Sequence, residues 1–485
     1  KYAVQRDASG RKLYFDAQGQ ELADLRGHDL TLTIDSQIQF FAEEELAKAV
    51  ATHNGKAGTC LVLHVPTGDI LAWANYPFFN PNAARNLNPK EGRNRSALDV
   101  LEPGSTMKPL IIAAALQEGI VKPDTVFNCE NGKFKIGVRT IKDTHSYGDL
   151  SVSKIIRWSS NIGAAKVGMQ LGHKKLHAYF EKLGFGSPTG LPLSGEGKGL
   201  VRSLKDWQPI DTATVSFGQG IAVTPIQLAQ AFLVLANDGM RKPLRLVIDP
   251  QQPAQTAPPV KVFDVEVAKT VQRMMREVVH EEKGTGRIAM IEGLEIGGKT
   301  GTAQKASPTG GYGDKYLASF LAFVPAESPQ YIVLVMVDEP EPSHYGGVVS
   351  APAVRDVTVR TLSYLGGMPD PTLLAQGQKP VVASPTTAAI QSPAAATAGP
   401  GAKPGKNLPA VAAMIDEAGA EVVALPGALV DSPSIPNFAG MPLRRVVEIL
   451  INKGIVPKIE GQGLVVTKQS PAPGAPWPGT EKKQD

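Results

Sequence analysis

The chain predicts an α+β fold, an antiparallel sheet packed with helices and joined to a helical subdomain. Apolar strand-like runs stand at residues 58–65 and 69–75 and return at 317–324 and 331–337. The middle of the chain carries helical periodicity instead, and turn sequences join the strands within each pair. Strands from the first and last thirds then share one sheet, and a cleft is expected where that sheet meets the helical block.

Taken in order, residues 1–29 are polar and glycine-bearing (Asp7-Ala-Ser-Gly10, Asp16-Ala-Gln-Gly19) and read as short strands or turns. Residues 30–34 alternate as a strand, and Asp35 and Ser36 are N-cap candidates for a helix running through Val50. Pro66-Thr-Gly-Asp69 supplies the turn of the first hairpin. Helices are predicted over about 107–118, 152–170 and 225–236, with Gly239 as the stop signal of the last. Near residue 299 the pattern returns to strand, and Pro325-Ala-Glu-Ser-Pro329 separates the two strands of the closing hairpin.

Residues 376–406 contain Pro, Ala, Gly, Ser and Thr with no acidic and no aromatic residue, too little apolar surface to fold. They form the centre of a linker assigned to 369–432. As a flexible chain its 31 central residues have an r.m.s. span of roughly 30 Å, and as polyproline helix a reach on the order of 95 Å. Pattern resumes at 441–452, where Leu443, Val446, Val447 and Leu450 fall on one helical face and Gly454 stands at the C-cap. Two short strands are expected around Gly461-Gln-Gly463, giving a separate module of helix plus small sheet.

Composition narrows the function classes. With 485 residues, 42% apolar and 20% charged, the chain has the makeup of a globular protein of two or three domains. A net charge of +4 without clustering is not the signature of a nucleic-acid binder. No run of about 18 apolar residues exists to span a bilayer. The start at Lys1 suggests that an upstream piece has been removed. Cys60 and Cys129 stand outside any metal-type spacing; pairing them or burying them separately are both open. The eight histidines form no HExxH, and neither a metal nor a cofactor is expected. The Gly-x-Gly at 218–220 lacks the strand-to-helix context of a phosphate loop and reads as a packing or turn feature.

Three strings carry chemistry. Ser105-Thr-Met-Lys108 follows Pro103-Gly104 and precedes an apolar helix, placing a hydroxyl near a helix N-terminus with a lysine one turn on. A lysine serves as base to a serine if burial or a second cation lowers its pKa. Ser151-Val-Ser-Lys154 has the same spacing but reads as a helix cap with a solvated lysine. Ser159-Ser-Asn161 falls inside a predicted helix, where Ser159 is a candidate proton relay and Asn161 a candidate positioner of Lys108 and of a substrate amide. Lys299-Thr-Gly-Thr302 reads as a strand in which Thr300 and Thr302 share a face and Gly301 permits close approach of another backbone. These hydroxyls beside Lys299 suit a carboxylate, and the Thr302 and Ser105 N–H groups are candidates for an oxyanion hole. The nearby Lys283-Gly-Thr-Gly286 reads as a loop.

Together with Leu32-Thr-Ile-Asp-Ser-Gln37 and Ser216-Phe-Gly-Gln-Gly-Ile221, these motifs resemble the transpeptidase domain of class B penicillin-binding proteins. The resemblance implies a cell-division type D,D-transpeptidase that attacks the D-Ala-D-Ala terminus of peptidoglycan stem peptides and transfers the acyl group to an amine on another strand. On it, Ser105 is the nucleophile, Lys108 the base, Ser159 and Asn161 relay and positioner, and Lys299, Thr300, Gly301 and Thr302 the carboxylate clamp. It also implies covalent inhibition by β-lactams, contacts with other wall-synthesis proteins, and a location on the outer, periplasmic side of the bacterial inner membrane through an N-terminal anchor that this chain lacks. Residues 1–29 would end a non-catalytic pedestal and 30–368 would be the transpeptidase domain. Residues 433–480 resemble a PASTA domain, whose relatives have been proposed to bind muropeptides or proteins. The alternatives are a β-lactamase or β-lactam sensor on the same motifs, or a catalytically silent wall-binding protein. No Glu-x-x-Leu-Asn type segment follows the second motif to position a hydrolytic water, which favours transfer.

Overall fold

The computed structural model describes residues 3–6, 12–15, 29–79, 91–193, 195–248, 258–307, 311–368, 412–415, 434–438, 446, 450, 455, 458–460 and 466–477. The chain divides into two units, Lys1–Ala388 and Ala389–Asp485.

In the first unit, β1 (Ala3–Arg6) and β2 (Lys12–Phe15) form an antiparallel ribbon. Strand β3 (Thr31–Leu32) is shorter than the five residues expected, because Asp35 already caps helix α1 (Ser36–Thr52). The Asp35 carboxylate accepts from the N–H groups of Gln37 and Ile38 at 2.8 and 3.0 Å. The first hairpin follows as β4 (Ala57–His64) and β5 (Asp69–Tyr76). After α2 (Arg95–Leu98), a 3-10 turn over Gly104–Met107 leads straight into α3 (Lys108–Gln117).

Two small ribbons come next, β6 (Val126–Asn128) with β9 (Asp149–Ser151) and, between them, β7 (Lys133–Ile136) with β8 (Arg139–Lys142). The single helix predicted over 152–170 is corrected by the structure to two, α4 (Val152–Trp158) and α5 (Asn161–Leu171). Ser159 between them is left-handed, at φ 60° and ψ 39°. The helical block continues with α6 (His173–Leu183), α7 (Pro209–Val215) and α8 (Pro225–Ala236). Every residue of α8 is buried, its start is fixed by a Thr224–Gln227 capping box, and Gly239 ends the segment at φ 82°. Short strands β10 (Met240–Arg241), β11 (Val247–Ile248) and β12 (Val260–Lys261) precede α9 (Val265–His280).

The chain closes the sheet with β13 (Gly297–Ala306), β14 (Tyr312–Val324) and β15 (Tyr331–Asp338), then adds α10 (Gly346–Val349) and α11 (Ala351–Leu365). The five-stranded sheet has the order β13-β14-β15-β4-β5, antiparallel throughout, so strands from both ends of the unit are neighbours. Of its three inner strands, β15 and β4 are buried over almost their whole length and β14 over its second half, because both faces are covered there. Leu61, Leu63, Leu321 and Leu334 face the helical block, whereas Val62, Phe320, Val333 and Val335 pack against α1 and α11. Each such burial contributes about 1.5–3 kcal/mol. Cys60 and Cys129 are both free and buried.

In the second unit, β16 (Ala412–Ile415) lies between β17 (Lys458–Glu460), to which it is parallel, and β18 (Val466–Ser470), to which it is antiparallel. The composition-based linker 369–432 thus contains a strand at its apolar Ala-Ala-Met-Ile segment, and the two strands flanking 461–463 pair through it and not with each other. Its core gathers Ile435, Phe438, Val446, Leu450, Ile455, Val466 and Trp477. Gln469 ties the core's entry by accepting from Phe438 N at 2.6 Å and donating to Pro436 O at 3.0 Å. Of the helix expected over 441–452, Val446 and Leu450 are described, both helical and buried. Residues 376–406, Gly454 and the 461–463 turn lie outside the described residues.

Candidate active site

The site forms where the sheet edge strand β13 meets the start of α3 and the break between α4 and α5. Close approach is built into glycines. A Cβ on Gly301 would stand 3.0 Å from Thr106 Cγ2, and one on Gly104 3.1 Å from Ala303 Cβ, so the backbone around Ser105 lies directly against β13. On its other side, Gly104 N donates to Gly218 O at 3.1 Å, and a Cβ on Gly218 would sit 2.1 Å from Gly104 O. The 216–221 segment thus serves the packing role expected of it, fixing the turn that presents Ser105.

The structure brings the candidate residues of all three motifs together. Lys108 Nζ is 2.8 Å from Ser105 Oγ, 3.0 Å from Ser159 Oγ, 2.6 Å from Ser159 O and 2.8 Å from Asn161 Oδ1. Lys299 Nζ lies 2.9 Å from the same Ser159 Oγ and 3.0 Å from Thr300 O. A hydrogen-bonded chain therefore runs Ser105–Lys108–Ser159–Lys299, with Ser159 Oγ as the bridge between two lysines. It continues through Thr300 Oγ1, 3.3 Å from Lys299 Nζ, to Thr285 Oγ1 at 3.0 Å.

Both lysine side chains are fully buried. Burial pulls the Lys108 amine down to about 7, against the opposing pull of the Asp143 carboxylate. Lys299 is held well below the ordinary lysine range by burial and by the neighbouring Lys108. Geometry agrees with a neutral Lys108. Ser159 O and Asn161 Oδ1 only accept, so they occupy two N–H groups, and the lone pair of a neutral amine is left to receive a hydroxyl proton from Ser105. Asn161 is held in that orientation by donating its Nδ2 to Lys142 O at 3.0 Å.

Thr300 and Thr302 share a face of β13, as the period of two requires, and it is the face opposite Lys299 and Gly301. Thr302 Oγ1 accepts from Gly346 N at 3.2 Å, so α10 covers this face. Ser151 is the N-cap of α4, accepting from Lys154 N at 3.3 Å, and Lys154 is exposed, which separates this look-alike spacing from that of Ser105.

Several contributors were missed from sequence. Asp143 accepts from Ser160 Oγ, Asn161 N and Ile162 N at 2.7, 2.5 and 3.1 Å. Glu102 accepts from Gly220 N at 2.8 Å and from Tyr312 OH at 3.0 Å, tying the approach to Ser105 to the start of β14. Thr285, in the 283–286 segment that reads as a loop, accepts from Thr300 Oγ1 at 3.0 Å. Only Glu102 had a usable signal, its place beside Pro103-Gly104.

Comparison with known proteins agrees with this geometry. A family model described as the penicillin binding protein transpeptidase domain matches residues 58–358, and a PASTA domain model matches 433–480. The chain is 40% identical over 345 residues to a probable peptidoglycan D,D-transpeptidase PenA of Neisseria flavescens, covering 71% of this chain and 84% of that protein. It is 37% identical over 358 residues to the peptidoglycan D,D-transpeptidase FtsI of Escherichia coli strain K12, covering 73% of this chain and 58% of that one. The apo TP domain of penicillin-binding protein 3 from Burkholderia pseudomallei superposes with a TM-score of 0.62 at 35% identity, covering 70% of this chain and 98% of that domain.

Proposed function

Because the chain belongs to the penicillin-binding protein transpeptidase family, we propose that it is a peptidoglycan D,D-transpeptidase with Ser105 as its acylated nucleophile. The observation that carries this reading is the Ser159 hydroxyl bridging two buried lysines, one of which also touches Ser105 Oγ.

Ser105 Oγ attacks the carbonyl of the penultimate D-Ala of a stem peptide, and its proton passes to the lone pair of Lys108 Nζ. The oxyanion forms between the Ser105 and Thr302 N–H groups, which approach because Gly104, next to Ser105, packs on the Thr302 backbone, where a Cβ on it would stand 3.3 Å from Thr302 O. As the C–N bond breaks, the proton travels through Ser159 Oγ to the departing amine of the terminal D-Ala. Its carboxylate is held by Lys299, whose amine reaches over the strand edge to within 3.3 Å of the Thr300 hydroxyl, while the Thr302 hydroxyl accepts from Gly346 N and keeps its own proton to donate. In the second half an acceptor amine attacks the Ser105 ester, loses its proton to Lys108, and Ser105 Oγ is reprotonated as it leaves. A β-lactam presents a carbonyl and a carboxylate in the same places and stops at the ester.

The substrate lies outside the cytoplasmic membrane, which supports a periplasmic site of action. Among the described residues no helix is long and apolar enough to cross a membrane. Likeness to the E. coli relative supports service in septal wall synthesis. In this reading residues 30–368 catalyse, the linker ahead of β16 tethers, and the PASTA module at 433–480, with β16 in its sheet, contacts wall or protein partners.

The test is labelling with fluorescent penicillin, peptide mapping by mass spectrometry, and repetition with Ser105→Ala. Label on Ser105 that vanishes in the variant is expected. Persistence of label in the variant, or label on Ser151, overturns the assignment.

A further inference from the structure

The second motif does not hold itself in place. Ser159 ends α4 in a left-handed conformation and Asn161 opens α5, so the turn lies between two helix ends whose terminal backbone groups need partners from outside the helices. Ser160 caps Gly163 N at 2.9 Å. The remaining donors converge on one carboxylate from outside the motif. Asp143, immediately after β8, takes Asn161 N and Ile162 N on Oδ1 and Ser160 Oγ on Oδ2. Three of the consecutive residues 160–162 thus hang from one side chain, and its neighbour Lys142 fixes the Asn161 amide.

We propose that Asp143 is a positioning residue for acylation: its carboxylate holds the Ser159–Asn161 turn in register with Lys108 and supplies the negative charge that faces this buried lysine. The inference rests on the reading of Ser105 as nucleophile. Two of the four oxygens around Lys108 Nζ belong to Ser159 and one to Asn161, so a shift of this turn uncouples the amine from Ser105 and from Lys299 together. The charged or titratable groups around the pair are few. Lys108 faces Lys299 from β13 and Asp143 from the β8 end. Asp143 faces Cys129 and Tyr147, both of whose pKa values its charge helps to raise. Lys166 acts on Cys129 from α5 and is paired with Glu130 at 2.6 Å. Asp143 is therefore the negative charge acting on Lys108, and its removal favours the neutral amine.

Asp143→Asn keeps an acceptor for the two N–H groups and removes the charge; Asp143→Ala removes both. The second-order rate of acylation by fluorescent penicillin is measured for both variants from about pH 5.5 to 9, with thermal melts in parallel. Asp143→Asn is expected to keep a near-native maximal rate while its acid limb moves to lower pH by about half a unit or more. Asp143→Ala is expected to acylate about tenfold or more slowly at every pH, since the turn has lost its anchor. Asparagine thus rescues the rate but not the pH profile, a separation that a merely structural aspartate does not produce. An unmoved acid limb in Asp143→Asn overturns the proposal, as does a native rate in Asp143→Ala. The Ser105→Ala control separates the two readings: if it still takes label, the assignment of the nucleophile fails, whereas clean label on Ser105 with unchanged Asp143 variants sinks only this inference.

Discussion

Replacing Ser159 by glycine separates stability from chemistry at one position. The residue sits at φ 60° as the C-cap of α4, where glycine is the usual occupant. An L-residue in that region costs about 1–2 kcal/mol, and glycine returns about 0.4–1 kcal/mol of this through the greater freedom of its unfolded chain. Ser159→Gly should therefore be more stable than Ser159→Ala by about 1 kcal/mol, a Tm difference of about 1–2 °C for a domain of this size. Without the hydroxyl, Lys108 keeps Ser159 O and Asn161 Oδ1, and Lys299 keeps Thr300 O, so neither buried amine is stranded. What both variants lose is the bridge that passes the proton, worth about 10²–10⁴ in acylation rate, or about 3–5 kcal/mol of barrier. Differential scanning calorimetry and stopped-flow acylation on the three proteins test the pair of effects. A glycine variant that acylates within threefold of the parent, or that melts below the alanine variant, refutes the reasoning.

Other outcomes follow from the same geometry. The acylation rate should rise with pH through about 7, the point to which burial lowers Lys108, and a pH–rate profile without such a limb contradicts a lysine base. Folded Lys108 sheds its proton near 7 and the unfolded residue near the ordinary lysine value, so the unfolded state binds more protons in between. This group's contribution to stability therefore rises with pH across that window, visible as a shallower rise in Lys108→Met. Gly218→Ala places a methyl 2.1 Å from Gly104 O at a φ of +82°, and should cost about 2–4 kcal/mol with slowed acylation. Gly119→Ala, also at positive φ but with nothing within 4 Å, should cost about 1 kcal/mol and leave acylation unchanged, as denaturant melts and labelling rates can show.

Strands were legible where hydrophobic patterning and turn chemistry agreed, as in β4, β5, β14 and β15, whose apolar runs are long enough to survive any local ambiguity. The α4–α5 break was not legible. Both flanks have good helix formers, and what interrupts them is tertiary: Lys108 draws the Ser159 carbonyl and Asp143 draws the next three polar groups. Of the candidate site, Ser105 with Lys108 and Thr300 with Thr302 were readable, because the first spacing is one helical turn and the second one strand face. Asp143 and Thr285 were not, since a lone aspartate after a ribbon and a threonine in a loop acquire meaning only from what folds against them. Likewise the opposite facing of Lys299 and Thr300 followed from strand period, but the cover supplied by Gly346 did not.

The pairing of β15 with β4 couples residues 331–338 to 57–64, so the central seam of the sheet closes only after nearly the whole first unit has been threaded into place. Contacts this distant in sequence carry a heavy loop-closure penalty and delay folding. A chain emerging N-terminus first would hold Ser105 long before Lys299 exists beside it. Acyl-transfer competence is thus a late and all-or-none acquisition, and partly made or truncated chains should be inert toward both wall and antibiotic.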